Sequence, residues 1–186
     1  MGTRHIRPRK RVLGCVCLWL ACSWLAGASE NAEVAEYQVK AAYLYNFTKF
    51  TDWPAGAFAS SNAPIVIGVV GEDPFGKTLD DLVSGETVRD RPLVVKRLHA
   101  GEDLRSCHVL FISGSEKERM SALLEKLKGS PVLTVSDTGD FAAQGGMVRF
   151  LRVQKTVKLE INQAAAEEAG LQISAKLLKL ARLVKP

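Results

Sequence analysis

The chain has 186 residues, 47% of them hydrophobic and 24% charged, which suits one domain around a single core. Its formal net charge of +5 has a local origin: Arg4, Arg7, Arg9, Lys10 and Arg11 open the chain without an acid, and removing them brings 25 basic and 20 acidic side chains to parity. A neutral remainder without a basic cluster argues against nucleic acid or an anionic membrane surface as partner.

The cationic start is followed by an apolar run from Val12 to Leu25 and by the small residues Ala26, Gly27 and Ala28. Such a run is too short for an ordinary transmembrane helix and has the three-part pattern of a secretory signal peptide. A lipid attachment at Cys22 would follow bulky Trp19, which fits that pattern poorly. The reading is a leader over 1–28 and a single exported domain over 29–186. Cys15, Cys17 and Cys22 leave with the leader, so Cys107 stands alone beside the apolar run Val109 to Ile112. It is expected to be buried and inert; a cross-link between two chains is the alternative.

Seven of the eleven aromatic residues that remain lie between Tyr37 and Phe58. Val39, Tyr43, Phe47 and Phe50 recur at helical spacing, with Trp53 at the next step, so one apolar face is expected on a helix that stops near Asp52, ahead of Pro54. Core packing explains this stripe better than a ligand box. Short β-branched runs then recur at Ile65 to Val70, Leu93 to Val95, Val109 to Ile112 and Val132 to Val135, the pattern of strands buried on both faces. Helices are expected between them, from Phe75 to Val83 and from Glu116 to Lys128, the latter opened by Ser115 with Glu118 as a capping box.

From Gly146 the period changes to alternation. Met147 to Val153 and Thr156 to Asn162 flank a turn at Gln154 and Lys155 and predict an antiparallel hairpin with one face buried. Two helices close the chain: Gln163 to Ala169, capped by Asn162 and stopped by Gly170, and a second from near Ser174. The second carries an apolar stripe at Leu177, Leu180, Ala181 and Val184 and a basic edge at Lys176, Lys179, Arg182 and Lys185. The fold class is α/β, a mainly parallel sheet covered by helices, with a C-terminal antiparallel hairpin and two C-terminal helices.

Gly71 to Thr78 spells the phosphate-loop pattern GxxxxGK[ST]. The chemistry contradicts the spelling, because Pro74 lacks a backbone donor and Glu72 and Asp73 place negative charge where polyphosphate would sit. Asp73 capping a helix with Pro74 at its first position explains the same residues. His99 and His108 show no metal-ligand spacing, no G-x-S-x-G elbow is present, and neighbouring Cys107 and His108 point to opposite sides of a strand. No catalytic residue, cofactor or metal is expected.

Lys40 to Pro54, Gly71 to Gly76, Cys107 to Ile112, Val132 to Asp137, Gly145 to Met147, Glu160 to Asn162 and Gly170 to Leu178 together resemble the YfiR family of small exported proteins. The resemblance implies a non-enzymatic periplasmic protein. It would bind the periplasmic sensor part of an inner-membrane diguanylate cyclase and hold it inactive, lowering cyclic di-GMP and biofilm formation. It also implies pairing as a homodimer in many members. Some members rely on disulfides, so the single mature cysteine speaks against a redox switch here. Contact positions expected from alternation are Lys158 and Glu160 on one strand of the hairpin with Phe150 and Arg152 on the other. The alternative is a small-ligand sensor using the crevice near Gly71 to Gly76 and Ser136 to Thr138, at the carboxyl ends of the parallel strands.

Overall fold

The computed structural model describes residue 2, residues 17–99 and residues 101–184, with residues 17–31 as backbone alone. The cations Arg4 to Arg11, the side chains of Ala26 to Ala28, and Lys185 lie outside the described residues. Two compact units divide the chain, Met1–Ala35 and Glu36–Pro186. No helix among the described residues is long and apolar enough to cross a membrane.

The elements in order are α1 (Cys17–Phe50), β1 (Thr51–Asp52), β2 (Ile65–Val70), α2 (Lys77–Val83), β3 (Thr87–Val88), β4 (Arg91–Leu98), β5 (Val109–Ile112), α3 (Met120–Leu127), β6 (Leu133–Ser136), β7 (Val148–Val153), β8 (Thr156–Ile161), α4 (Gln163–Glu168), β9 (Gln172–Ile173), α5 (Ala175–Leu178) and β10 (Ala181–Leu183). Eight strands form one sheet in the order β10-β8-β7-β6-β5-β2-β4-β3, and β1 pairs separately with β9. Every pairing from β4 through β2, β5 and β6 to β7 is parallel, and β7 and β8 form the expected antiparallel hairpin. The β-branched run of β2 is buried along its whole length, because side chains pack on both of its faces. One face meets α1 through Ile67, Val69, Phe111, Val135, Phe150 and Leu159. The other meets α3 through Val66, Val70, Leu110 and Ile112, with Phe141 closing over it.

Several local expectations are corrected. In α1 the buried positions are Lys40, Ala41, Leu44, Phe47 and Thr48, whereas Val39 is 45% exposed. The buried face is therefore turned from the expected stripe: small Ala41 and Leu44 sit innermost, and Tyr43 lies at the flank, its ring 5.9 Å from that of Phe150. The helix ends at Phe50 because Thr51 and Asp52 pair with Ile173 and Gln172. Helix α2 begins at Lys77, while Asp73 Oδ1 accepts from the Phe75 N–H at 2.8 Å in the turn before it. The capping box is absent: Ser113 caps a 3-10 turn over Gly114–Arg119, and Ser115 Oγ accepts from the Glu72 N–H. Asn162 caps α4 as expected, its side chain accepting from the Ala165 N–H at 3.1 Å. The last helix is only four residues long, and Ala181 to Leu183 leave it to pair in parallel with β8.

Cys107 is buried, and burial pushes its thiol up to about 11, well away from the thiolate that oxidation requires. Gly68 faces it across the sheet, where a Cβ would overlap the Cys107 sulfur and lie 2.9 Å from Leu110 Cδ1. Next along the chain, His108 holds the loop before β2. Its Nδ1 accepts from the Val66 N–H at 3.1 Å, which leaves Nε2 as the donor to the Ala57 carbonyl at 3.2 Å. The ring stacks on Phe58 at 4.4 Å, and Trp53 donates to the His108 carbonyl.

Burial holds the His108 imidazole below its ordinary value of 6.5. The unfolded chain therefore takes up a proton at higher pH than the folded one. The resulting stability is complete above 6.5 and is lost as pH falls from there through the folded value. Urea unfolding of His108→Gln at about pH 7.5 and about pH 5 is expected to show a smaller loss between the two than the parent chain shows.

Candidate partner surface

In an open α/β sheet, ligands bind at the carboxyl edge where the strand order reverses. Here that point lies between β2 and β5, with Gly71 and Ser113 leaving the adjacent strand ends. Groups of both loops meet there. Gly71 has φ +90° and a Cβ there would lie 2.9 Å from Glu116 Cγ, so the two loops are in contact at this point. The Glu72 N–H is bound by Ser115 Oγ at 2.9 Å, and Ser136 Oγ sits 2.8 Å from the Ile112 carbonyl and 3.1 Å from the Thr138 N–H.

Helix α1 seals the same edge with a charged network. Lys40, only 3% exposed, places Nζ 2.6 Å from Asp137 Oδ2 and 2.7 Å from Glu36 Oε1, and Tyr37 donates to Asp137 at 3.0 Å. Glu36 reaches on to Arg152 at 3.0 Å, which ties α1 to the hairpin. The crevice expected for a small ligand is thus occupied by paired charges.

The phosphate-loop spelling is held by its own acids. Asp73 and Asp80 clamp Arg97, with Asp73 Oδ2 at 2.9 Å from Nε and Asp80 Oδ1 at 2.6 Å from Nη1. Hydrogen bonding to Arg97 holds the Asp80 carboxyl below the usual range and raises the guanidinium further. Lys77 is exposed and paired with Asp81 on its own helix. A half-open cavity of about 250 Å³ lies elsewhere, between α3 and α4, lined by Leu124, Lys128, Gln144, Met147, Ala165 and Glu168.

The four expected contact residues separate into two pairs. Phe150 is 2% exposed and packs between Tyr43, Phe47 and Phe111, because the hairpin register sets it opposite Leu159 on the helix-covered face. Glu160, also 2% exposed, lies on the other face but beneath Arg149, at 2.8 Å, and Arg182 of β10. Neither is outward. Arg152 and Lys158 are exposed near the hairpin tip. Register places Arg149, Leu151 and Val153 beside Lys158, Glu160 and Arg182 on one face of β7, β8 and β10. Val153 is exposed there and Leu151 half-buried, so the face is apolar at its tip and cationic around it.

A sequence model of the YfiR/HmsC-like family matches residues 37–182, from the Tyr37 that binds Asp137 to the Arg182 that covers Glu160. The chain belongs to the YfiR/HmsC-like family. That family comprises periplasmic, non-catalytic regulators of diguanylate cyclases. The YfiR/HmsC-like match spans both the sealed carboxyl edge and the hairpin.

Lys40 leaves two largely buried carboxylates facing each other when it is removed. Lys40→Met is expected to lower unfolding stability by about 3 kcal/mol. Lys77→Ala, which breaks an exposed pair, is expected to stay within about 0.5 kcal/mol and to leave any activity unchanged. Urea denaturation of both variants checks the contrast.

Proposed function

We propose that the chain is exported, loses its leader near Ser29, and represses an inner-membrane diguanylate cyclase by binding the cyclase's periplasmic sensor part. Family membership over residues 37–182 carries this reading. The carboxyl edge supports it, since Lys40, Asp137 and Ser115, at the position where an α/β protein would take a small substrate, are engaged with protein groups. Repression follows from differential affinity: a protein that binds the inactive receptor better than the active one shifts the population toward it. Less cyclic di-GMP is then made, and biofilm formation is restrained.

The contact surface proposed is the tip of the hairpin, where Arg152 and Lys158 flank exposed Val153. The second reading, a small-ligand sensor, rests on the cavity between α3 and α4 rather than on the carboxyl edge. Thermal stabilisation by a metabolite that Lys128→Ala abolishes would favour it.

Co-expression with an inner-membrane diguanylate cyclase that carries a periplasmic sensor part, followed by co-purification and measurement of cellular cyclic di-GMP, tests the first reading. Repression is expected with the parent chain. Lys158→Glu is expected to weaken co-purification about tenfold and raise cyclic di-GMP while leaving stability unchanged. Phe150→Ala is expected to act differently, losing about 3–5 kcal/mol of stability through its core position. Unaltered cyclic di-GMP in the presence of the parent chain would rule the reading out.

A further inference from the structure

The eight-stranded sheet ends in two unlike edges. At one, β3 is two residues long, and Arg89 and Asp90, both at positive φ, turn the chain at once into β4. Short length and adjacent charges blunt that edge. At the other, β10 pairs among the described residues with β8 on one side only. The Val184 N–H bonds to the Ile161 carbonyl, so Arg182 and Val184 turn their backbone groups toward β8. By alternation, the N–H and C=O of Ala181 and Leu183 face away from the sheet.

Beside those outward groups the edge is apolar and cationic. Leu180 is 69% exposed and Leu183 52%. Lys176, Lys179 and Arg182 are exposed as well, and the sequence from Gly170 to Pro186 contains no acid. Two copies pairing edge to edge would set these cations against their own kind. An acidic strand meets no such repulsion.

We infer that the β10 edge receives an extended, acidic segment of the partner by strand addition. The backbone of Ala181 and Leu183 supplies the ladder, exposed Leu183 takes the apolar side chains on the face it shares with Ala181, and the cations Lys176, Lys179 and Arg182 around the edge favour an acidic segment. This inference rests on the reading of the chain as a partner-binding regulator and names how the partner is gripped.

The test uses the purified protein and two labelled peptides, an acetylated and amidated hexamer of alternating Val and Glu and its Val and Lys counterpart, followed by fluorescence anisotropy. The Val/Glu peptide is expected to bind saturably and at least about tenfold tighter than the Val/Lys peptide, with the difference shrinking at high salt. Leu183→Pro removes an outward N–H without touching the ladder to β8 and is expected to abolish binding, whereas Leu183→Val retains it. If Leu183→Pro unfolds the protein, the Lys176→Glu and Lys179→Glu double variant serves instead, with reversed peptide preference expected. Equal binding of both peptides, or binding indifferent to Leu183→Pro and to charge reversal, overturns the inference. So does a concentration-dependent dimer that Leu183→Pro dissolves, since the edge would then belong to a second copy. A folded Leu183→Pro protein that represses the cyclase as the parent does would sink the edge assignment and leave the regulatory reading standing. A parent chain that leaves cyclic di-GMP unchanged removes the regulatory reading whatever the peptides do.

Discussion

The carboxylate of Glu160, buried beneath the guanidinium groups of Arg149 and Arg182, decides how the last part of the sheet is built. Parallel strands require a crossover, and a crossover helix normally covers one face of the pair it joins. Between β6 and β7 the crossover is a turn-rich loop, so α3 is the last helix on that side and β7, β8 and β10 are left without one. A face of this kind cannot be filled with large apolar side chains and stay soluble. A carboxylate bracketed from both neighbouring strands offers an alternative: the desolvation cost of one anion, several kcal/mol, is offset by two charge-assisted contacts. The same contacts fix the register of β10, which is three residues long and has one neighbour.

A second buried charge does the equivalent work at the sheet's carboxyl edge. Lys40 bridges Asp137 and Glu36, and Glu36 passes the connection to Arg152, so a chain of ion pairs links α1, the end of β6 and the hairpin. The two charge systems meet on β7: Arg152 belongs to the edge network and Arg149 to the Glu160 pair, from opposite faces of the same strand. The base of the hairpin tip is thereby connected to α1 by the Arg152–Glu36 pair. A regulator that discriminates between two receptor states would gain from links of this kind, because a compliant surface would adapt to both.

Much of this was legible in the residues. The β-branched runs located β2, β5 and β6, because a strand buried on both faces leaves no polar alternation. Strand β4 was located by its run too but is only partly buried, with Lys96 and Arg97 exposed. The hairpin followed from Val157, Leu159 and Ile161 and the turn between Val153 and Thr156. Phe150 was legible too and was misassigned: counting back from that turn sets it opposite Leu159, on the core face. Glu160 was placed on the correct face, but facing away from the core does not mean facing water when two arginines cover the site. Lys40 could not be read at all, since its partner Asp137 is 97 positions away. At the C-terminus the helical spacing of Leu177, Leu180, Ala181 and Val184 lost to sheet pairing, because the edge of β8 offered backbone partners that a lone helical turn lacks.

Charge and energy together limit how a protein of this kind can hold a receptor. The chain without its first eleven residues is formally neutral, so long-range steering is weak and recognition happens within a Debye length of about 8 Å. Moving a receptor from mostly active to mostly inactive requires a differential of about 5.5 kcal/mol. One exposed ion pair supplies about 0–1 kcal/mol and falls well short. The hairpin tip alone, with Lys158, Arg152 and Val153, therefore cannot account for firm repression. A second grip is needed that is lost when the receptor changes shape, and a strand ladder meets that requirement, since a register shift breaks all of its hydrogen bonds at once. Tip and edge are joined through β8, which hydrogen-bonds to β7 on one side and β10 on the other, so under the proposed mode of binding a receptor state that fits one and misaligns the other would be rejected by both.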